Sequence, residues 1–271
     1  MKKIKVGIIG CGTIGSALAH TIQKKFSPTI RVAFLADSNV LQARSLQKKL
    51  SSGVKIAPTK AVIQHSDFVI EAASIKVSFD IAYSCLKLNK DVLIMSIGGL
   101  VKKVHQLRLL GKKSKGTLYL PSGAICGIDG ILAAQCGGIT KATLTTRKPL
   151  KGLRGAPYFA LKKINIDAIK KETVVFSGSA EEAIRYFPKN VNVAALLSLA
   201  SLGSKKTKVQ IITSPSFTCN SHDICVEGAS GKITTKTENV PSPTNPKTSY
   251  LAILAAEALL KKKFSSLKIG T

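Results

Sequence analysis

Gly10-Cys11-Gly12-Thr13-Ile14-Gly15 sets three glycines at GxGxxG spacing, directly after the apolar run that ends at Ile9. Such a turn between a strand and a helix needs glycine for three reasons: the tight bend, close approach of backbone to a pyrophosphate, and helix-to-strand packing. The helix that follows offers its first amides to phosphate. Gly10, Gly12, Thr13, Ile14 and Gly15 are therefore the candidate contacts to a dinucleotide. Asp37 closes the next β-branched run, 22 residues after Gly15. A carboxylate there accepts from the adenosine ribose hydroxyls and repels a 2′-phosphate, which favours NAD over NADP. No Arg directly follows Asp37, but Arg44 on the next helix is within reach of that site and leaves NADP open.

A side chain that moves protons near neutral pH is most simply a histidine. Of the four histidines, His20, His65 and His105 fall among ordinary helical neighbours. His222 alone lies in a short polar segment, Asn220-Ser221-His222-Asp223, expected to connect two strands. It reads either as a base or as a solvated turn residue whose removal opens no core cavity. Cys219, His222 and Cys225 also have the spacing CxxHxxC, but residues three apart on an extended chain face opposite sides, and no fourth ligand is evident, so no metal is expected. For anionic groups, Lys247 is the informative cation. Asn245 reads as an N-cap and Pro246 as the first helical residue, which puts Lys247 in a first turn, against the helix dipole. Arg147 and Lys148, at the end of a strand over Ala142 to Thr146, are second candidates. Asp129, near a helix start, reads as a dipole-favoured cap residue.

The elements that must carry these residues fall into two sets. Strands at Lys5–Ile9, Ile30–Ala36, Phe68–Ile70, Val92–Met95 and Leu118–Leu120 alternate with helices at Thr13–Lys25, Val40–Leu50 and Val77–Leu88. That alternation predicts an α/β, doubly wound parallel sheet, a Rossmann dinucleotide-binding domain over residues 1–121. Residues 122–240 read as an α+β catalytic domain. Its strands are at Ala142–Thr146, Thr173–Phe176, Lys208–Thr213, Ile224–Glu227 and Lys232–Thr237, and its helices at Ser179–Tyr186 and Val191–Leu202. Ser179 and Glu182 form a capping box. Residues 241–271 are expected to be a linker and a helix from about Lys247 to Lys263 that returns to the first domain.

The formal charge is +27, from 41 Lys and Arg against 14 Asp and Glu. Only six of the 41 are Arg, the lysines come in scattered pairs, and there is no Trp, so a solvated surface is expected and not a specific nucleic-acid site. Apolar runs stay short of the ~18–20 residues of a membrane helix, so no membrane partner is expected. Lys5, Gly7, Gly10 and Gly12 interrupt what would be the apolar core of a secretory signal, and a cytoplasmic protein with reduced thiols is expected.

Further motifs follow in order: Ser122-Gly123-Ala124-Ile125-Cys126-Gly127, Phe187-Pro188-Lys189-Asn190-Val191-Asn192-Val193-Ala194, Asn220-Ser221-His222-Asp223, Asn239-Val240-Pro241 and Asn245-Pro246-Lys247-Thr248-Ser249. Together with the glycine turn, this series resembles the L-aspartate dehydrogenase family over nearly the whole length. The resemblance implies NAD(P)-dependent oxidation of L-aspartate to iminoaspartate, feeding NAD biosynthesis, in a homodimer. It also implies His222 as the catalytic histidine, and Ala124 and Asn190 as further cofactor contacts. Lys247, and after it Arg147, would hold the substrate. Gly99 and Gly130 depart from the pattern, standing where Ala is more usual, and are expected to loosen a loop and a helix. Two other readings remain: a different Rossmann amino-acid or semialdehyde oxidoreductase, and a non-enzymatic NAD-sensing regulator.

Overall fold

The computed structural model describes residues 3–188, 191–243 and 245–270, except the side chains of Pro246 and Lys247. The chain divides into two compact units, Met1–Pro121 with Ala256–Leu267, and Ser122–Ala255 with Lys268–Thr271.

In the first unit the elements alternate: β1 (Ile4–Ile9), α1 (Thr13–Lys25), β2 (Ile30–Ala36), α2 (Val40–Gln47), β3 (Lys55–Ile56), α3 (Thr59–His65), β4 (Phe68–Glu71), α4 (Ser78–Lys87), β5 (Asp91–Ile94), α5 (Val104–Gly111) and β6 (Leu118–Tyr119). The strands form one sheet in the order β3-β2-β1-β4-β5-β6, every neighbouring pair parallel. Both faces are covered, so the strands read as unbroken apolar runs. Val6, Ile8, Leu35, Phe68 and Ile70 face a core shared with α1 and α2, whereas Val69, Val92 and Ile94 face one shared with α3, α4 and α5. The order reverses between β1 and β4, which opens a crevice at the carboxyl ends of the strands.

The chain's last helix, α11 (Tyr250–Phe264), gives its second half to this unit. Ala256 and Leu260 are fully buried in the first core. Lys263 Nζ donates to Asp91 Oδ2 at 2.5 Å and to Tyr119 Oη at 3.0 Å, and lies 4.7 Å from the Tyr119 ring centroid.

The second unit holds α6 (Ile128–Gly137), β7 (Ile139–Pro149), α7 (Leu150–Leu153), α8 (Pro157–Leu161), β8 (Thr173–Ser179), α9 (Ala180–Tyr186), α10 (Asn192–Ala200), β9 (Lys208–Ser214), β10 (Asn220–Gly228), β11 (Gly231–Asn239), β12 (Pro241–Ser242) and β13 (Asn245–Ser249). Its main sheet runs β11-β10-β7-β9-β8, antiparallel except for the β7–β9 pair. Burial alternates along β7: Ala142, Leu144, Thr146 and Lys148 are buried, while Thr143, Thr145 and Arg147 are partly exposed. The buried face packs against α9 and α10. Ser179 caps α9 by accepting from the Glu182 amide while Glu182 Oε2 accepts from the Ser179 amide, the expected capping box.

Three boundaries differ from the sequence expectation in ways that matter for chemistry. β10 begins at Asn220, so the polar segment around His222 is strand and not a turn. β7 continues to Pro149, so Arg147 and Lys148 lie within the strand and face opposite sides of the sheet. Asn245–Ser249 pairs with Pro241–Ser242 as an antiparallel hairpin, and the helix starts only at Tyr250. Lys247 thus belongs to a strand and meets no helix dipole. Asn-Pro suits a turn and an edge strand as well as a helix start, and pairing with β12 decides between them.

The two departing glycines are not alike. A Cβ on Gly99 would sit 2.1 Å from Ile75 O, so the backbones there approach as only glycine allows. A Cβ on Gly130, inside α6, would meet only Ile233 Cδ1 at 3.8 Å. Gly130→Ala should therefore raise stability by about 0.4–1 kcal/mol, and Gly99→Ala should lower it by ~1–3 kcal/mol. Urea midpoints of the two variants with unchanged m-values check both signs.

Candidate active site

At the carboxyl ends of β1, β2 and β4 the first unit has a cleft of about 1160 Å³. Gly10 and Gly12 line it with Asp37, Asn39, Ala72 and Ala73. Gly10 has φ +98°, and a Cβ on it would lie 2.4 Å from Ala72 C. A Cβ on Gly15 would lie 1.9 Å from Gly10 O, whereas one on Gly12 would meet nothing within 4 Å. The first and third glycines are thus consumed by packing, and the second leaves open space for a ligand. α1 starts behind Gly12 with no side-chain cap and no acid in its first turn, an electropositive end suited to phosphate.

Two carboxylates hold this turn. Asp37 Oδ2 accepts from the Cys11 amide at 2.6 Å and Oδ1 from the Asn39 amide at 2.8 Å. Each oxygen retains a lone pair for a hydroxyl donor. Burial and the Asp37 charge push the Cys11 thiol up to about 12, so it is inert as a nucleophile. Glu71, at the end of β4, is fully buried and accepts from the amides of Ala73, Ser74 and Ser96 at 2.8–3.0 Å. Burial raises its pKa while these three amides oppose the rise. Glu71 ties the loops after β4 and β5 together beneath the glycine turn. The sequence signal for Glu71 is an acid that closes the apolar run Phe68-Val69-Ile70.

In the second unit His222 is 3% exposed. Its register partner on β7 is Thr146, whose Oγ1 lies 3.0 Å from His222 Nδ1. Lys148, two residues along β7 on the same face, is 9% exposed. Burial lowers Lys148 to about 8. Burial, then the Lys148 charge, lowers His222 to about 3. Between Lys148, Leu144, Thr146 and the covering Ala183 and Ala194 only a gap of about 10 Å³ remains.

Arg147 is not part of this group. It points to the other face, where it pairs with Asp223 and lies 3.9 Å from Glu172. The alternation of β7 gives the place beside His222 to Lys148. Neither Thr146 nor its pairing with His222 was legible in the sequence, because strand register is a tertiary fact. Cys225 faces away from His222, and among the described residues no group of three or more His, Cys, Asp and Glu converges as metal ligands. Ala124 is 7% exposed, and its carbonyl accepts from Thr237 and Asn239. Asn190 and the Lys247 side chain lie outside the described residues. No helix among the described residues is long and apolar enough to cross a membrane.

Residues 129–263 match the family described as aspartate dehydrogenase, C-terminal, and residues 10–121 that described as homoserine dehydrogenase, NAD binding domain. The chain is 45% identical to an L-aspartate dehydrogenase of Methanosarcina mazei and 43% identical to one of Methanosarcina barkeri, each alignment covering 99% of this chain and 100% of the relative. A crystal structure of aspartate dehydrogenase from Thermotoga maritima superposes with a TM-score of 0.75 at 25% identity, covering 99% of this chain and 100% of that one.

A charged lysine held in the core weakens the fold. Lys148→Met should stabilise the chain by on the order of 1–3 kcal/mol at pH 7. Lys148 titrates near 8 when folded and near 10.5 when unfolded, so the unfolded chain binds more protons in that window and wild-type stability rises through it. The advantage of the variant should shrink accordingly. Chemical denaturation of both proteins from pH 7 to 10.5 reads this out.

Proposed function

The chain belongs to the L-aspartate dehydrogenase family, and from that premise we propose how its own residues carry out the NAD(P)-dependent oxidation of L-aspartate to iminoaspartate, which water then hydrolyses to oxaloacetate and ammonia. The residues present fit the dinucleotide: an open Gly12, an uncapped helix start and the Asp37 carboxylate line one cleft. When bound, the cofactor supplies the hydride acceptor. Gly10, Gly12, Thr13, Ile14 and Gly15 take its pyrophosphate and Asp37 its ribose, and Ala124 and Asn190 are further contacts, supported by the family resemblance.

Lys148 holds a carboxylate of aspartate. Lys247 holds the other, supported by the Asn-Pro-Lys-Thr-Ser motif alone. His222 is the base. With Nδ1–H donating to Thr146 Oγ1, Nε2 keeps its lone pair and takes a proton from the substrate's ammonium group. Burial is the larger cause of the lowered His222 pKa and persists, but a carboxylate at Lys148 offsets the second cause, the Lys148 charge, so the substrate raises the histidine's basicity. The observation that carries this reading is the joint burial of His222, Thr146 and Lys148 on one face of the sheet. The protein acts as a cytoplasmic homodimer, supported for its assembly by the resemblance, and light scattering on the purified chain tests that assembly.

Following NAD(P)H absorbance across amino acids tests the reaction, and equal turnover of other amino acids would sink the substrate assignment. Because His222 is buried, its loss removes core volume, contrary to the expectation of a harmless turn position. His222→Gln, which keeps most of that volume, is therefore the cleaner variant. It should lower kcat by about 10²–10⁴-fold and leave NAD affinity intact. A near wild-type rate would make His222 a bystander.

The free enzyme's His222 is already neutral at pH 6, so no histidine limb near 6.5 is expected in kcat/KM for aspartate. Instead kcat/KM should fall above about pH 8 as Lys148 loses its proton, and Lys148→Met should lack that fall.

Asp37→Ala should raise the KM for NAD far more than that for NADP. Equal effects would mean that Asp37 serves only the turn.

A further inference from the structure

β11 presents one face to the segment Ser122–Gly127 that leads into α6, and the contacts on that face are all of one polarity. Thr235 Oγ1 donates to Cys126 O at 3.4 Å, Thr237 Oγ1 to Ala124 O at 3.0 Å, and Asn239 Nδ2 to Ala124 O at 3.0 Å. The residues alternate along the strand, i, i+2, i+4, as a single face requires. Carbonyls of the segment are thus turned toward the strand. In a trans peptide the N–H points opposite to the C=O, so the Ile125 amide is turned away from β11. Among the described residues the amides of Gly123, Ala124 and Cys126 donate to no protein acceptor, while that of Ile125 faces Ser122 O across the turn at Gly123 and Ala124 without closing a full hydrogen bond.

Asn239 bears most of this arrangement and at a disadvantage to itself. It is 3% exposed, and its Oδ1 is buried with no partner among the described residues. Flipping the amide would set Oδ1 against the Ala124 carbonyl, two acceptors face to face, so the observed orientation is the one the carbonyl dictates. A half-satisfied buried amide is unfavourable, and an apolar residue would fill the strand position without that penalty. Its compensating interaction is the bond to Ala124 O, which with Thr237 fills both lone pairs of that oxygen.

We propose that Asn239 is a positioning residue for the dinucleotide: it locks the Ala124–Ile125 peptide so that the segment's free amides are held ready for the cofactor. The inference rests on the reading of Ala124 as a cofactor contact. Thr237, the register partner of His222, completes the lock from the same strand. Neither residue touches the reacting atoms, so the lock serves binding and leaves the proton transfer to His222.

Calorimetric titration of NAD into the purified enzyme, without substrate, tests this apart from turnover. Asn239→Asp keeps the shape of the side chain but replaces the Nδ2 donor with an acceptor, and Asn239→Ala removes the side chain. Each should raise the NAD Kd by about tenfold or more, while kcat at saturating NAD stays within about threefold of wild type. Thr237→Ser, which keeps the hydroxyl, should bind NAD as wild type does, and Thr237→Val should bind it about threefold to tenfold more weakly. Asn239 variants that fold, by thermal melt, and bind NAD within twofold of wild type overturn the proposal, because a merely structural role moves the melt and not the Kd. Should neither Asn239 variant fold, Thr237→Val decides by the same criterion. A wild type that fails to oxidise aspartate strikes the proposed function, whereas unchanged Kd values on an active wild type strike this inference alone.

Discussion

A cation and a histidine buried on one sheet face form the arrangement around which the second unit is organised. Isolated, a buried ammonium is among the least favourable groups a core can hold. Here burial lowers Lys148 to about 8, on the face that also carries Leu144 and Thr146 and is covered by Ala183 and Ala194. Thr146 gives the adjacent imidazole a partner at 3.0 Å. Antiparallel register between β7 and β10 then decides everything local: shifting it by one residue would turn His222 to the outer face. The same register leaves Arg147 with Asp223 and excludes it from the group. Placing an imidazole and an ammonium together in low dielectric weakens the fold and sharpens the electrostatics between them.

The first unit solves a different problem, that of bringing backbone close to a charged ligand. Gly10 lies against Ala72 and Ala73, and Glu71 fixes the loop that carries those residues by accepting from the amides of Ala73 and Ser74. Asp37 does the same for Cys11 from the other side. The turn is held by carboxylates accepting main-chain amides, not by side-chain packing. Preformed donors lose little entropy when a ligand binds. The second unit repeats this logic with neutral groups, where Thr237 and Asn239 hold the Ala124 carbonyl.

The strong positive charge does not organise either site. Most lysines stand on the surface, and where one is structural it is held by acceptors and rings, as Lys263 is by Asp91, Tyr119 and the ring of Phe68. That cluster belongs to the final helix, whose Ala256 and Leu260 bury in the core of the first unit.

The doubly wound sheet was legible in the sequence because burial on both faces forces uninterrupted apolar strands, and the glycine turn because Gly10 and Gly15 admit no Cβ. Asp37 was legible as the acid that follows the second apolar strand run, and the structure places it against the Cys11 amide of the glycine turn. Family resemblance points to His222 through its motif, but not to its surroundings: a polar tetrapeptide reads locally as a turn, and strand pairing with β7 makes it part of a buried strand. Pairing with β12 likewise turned a helix start at Asn245 into a strand. Composition and local propensity act between near neighbours, so they set elements and turns. Which face a strand residue takes, and whether Thr146, Lys148 or Arg147 stands beside His222, depends on register between segments some seventy residues apart, and only the tertiary fold decides it.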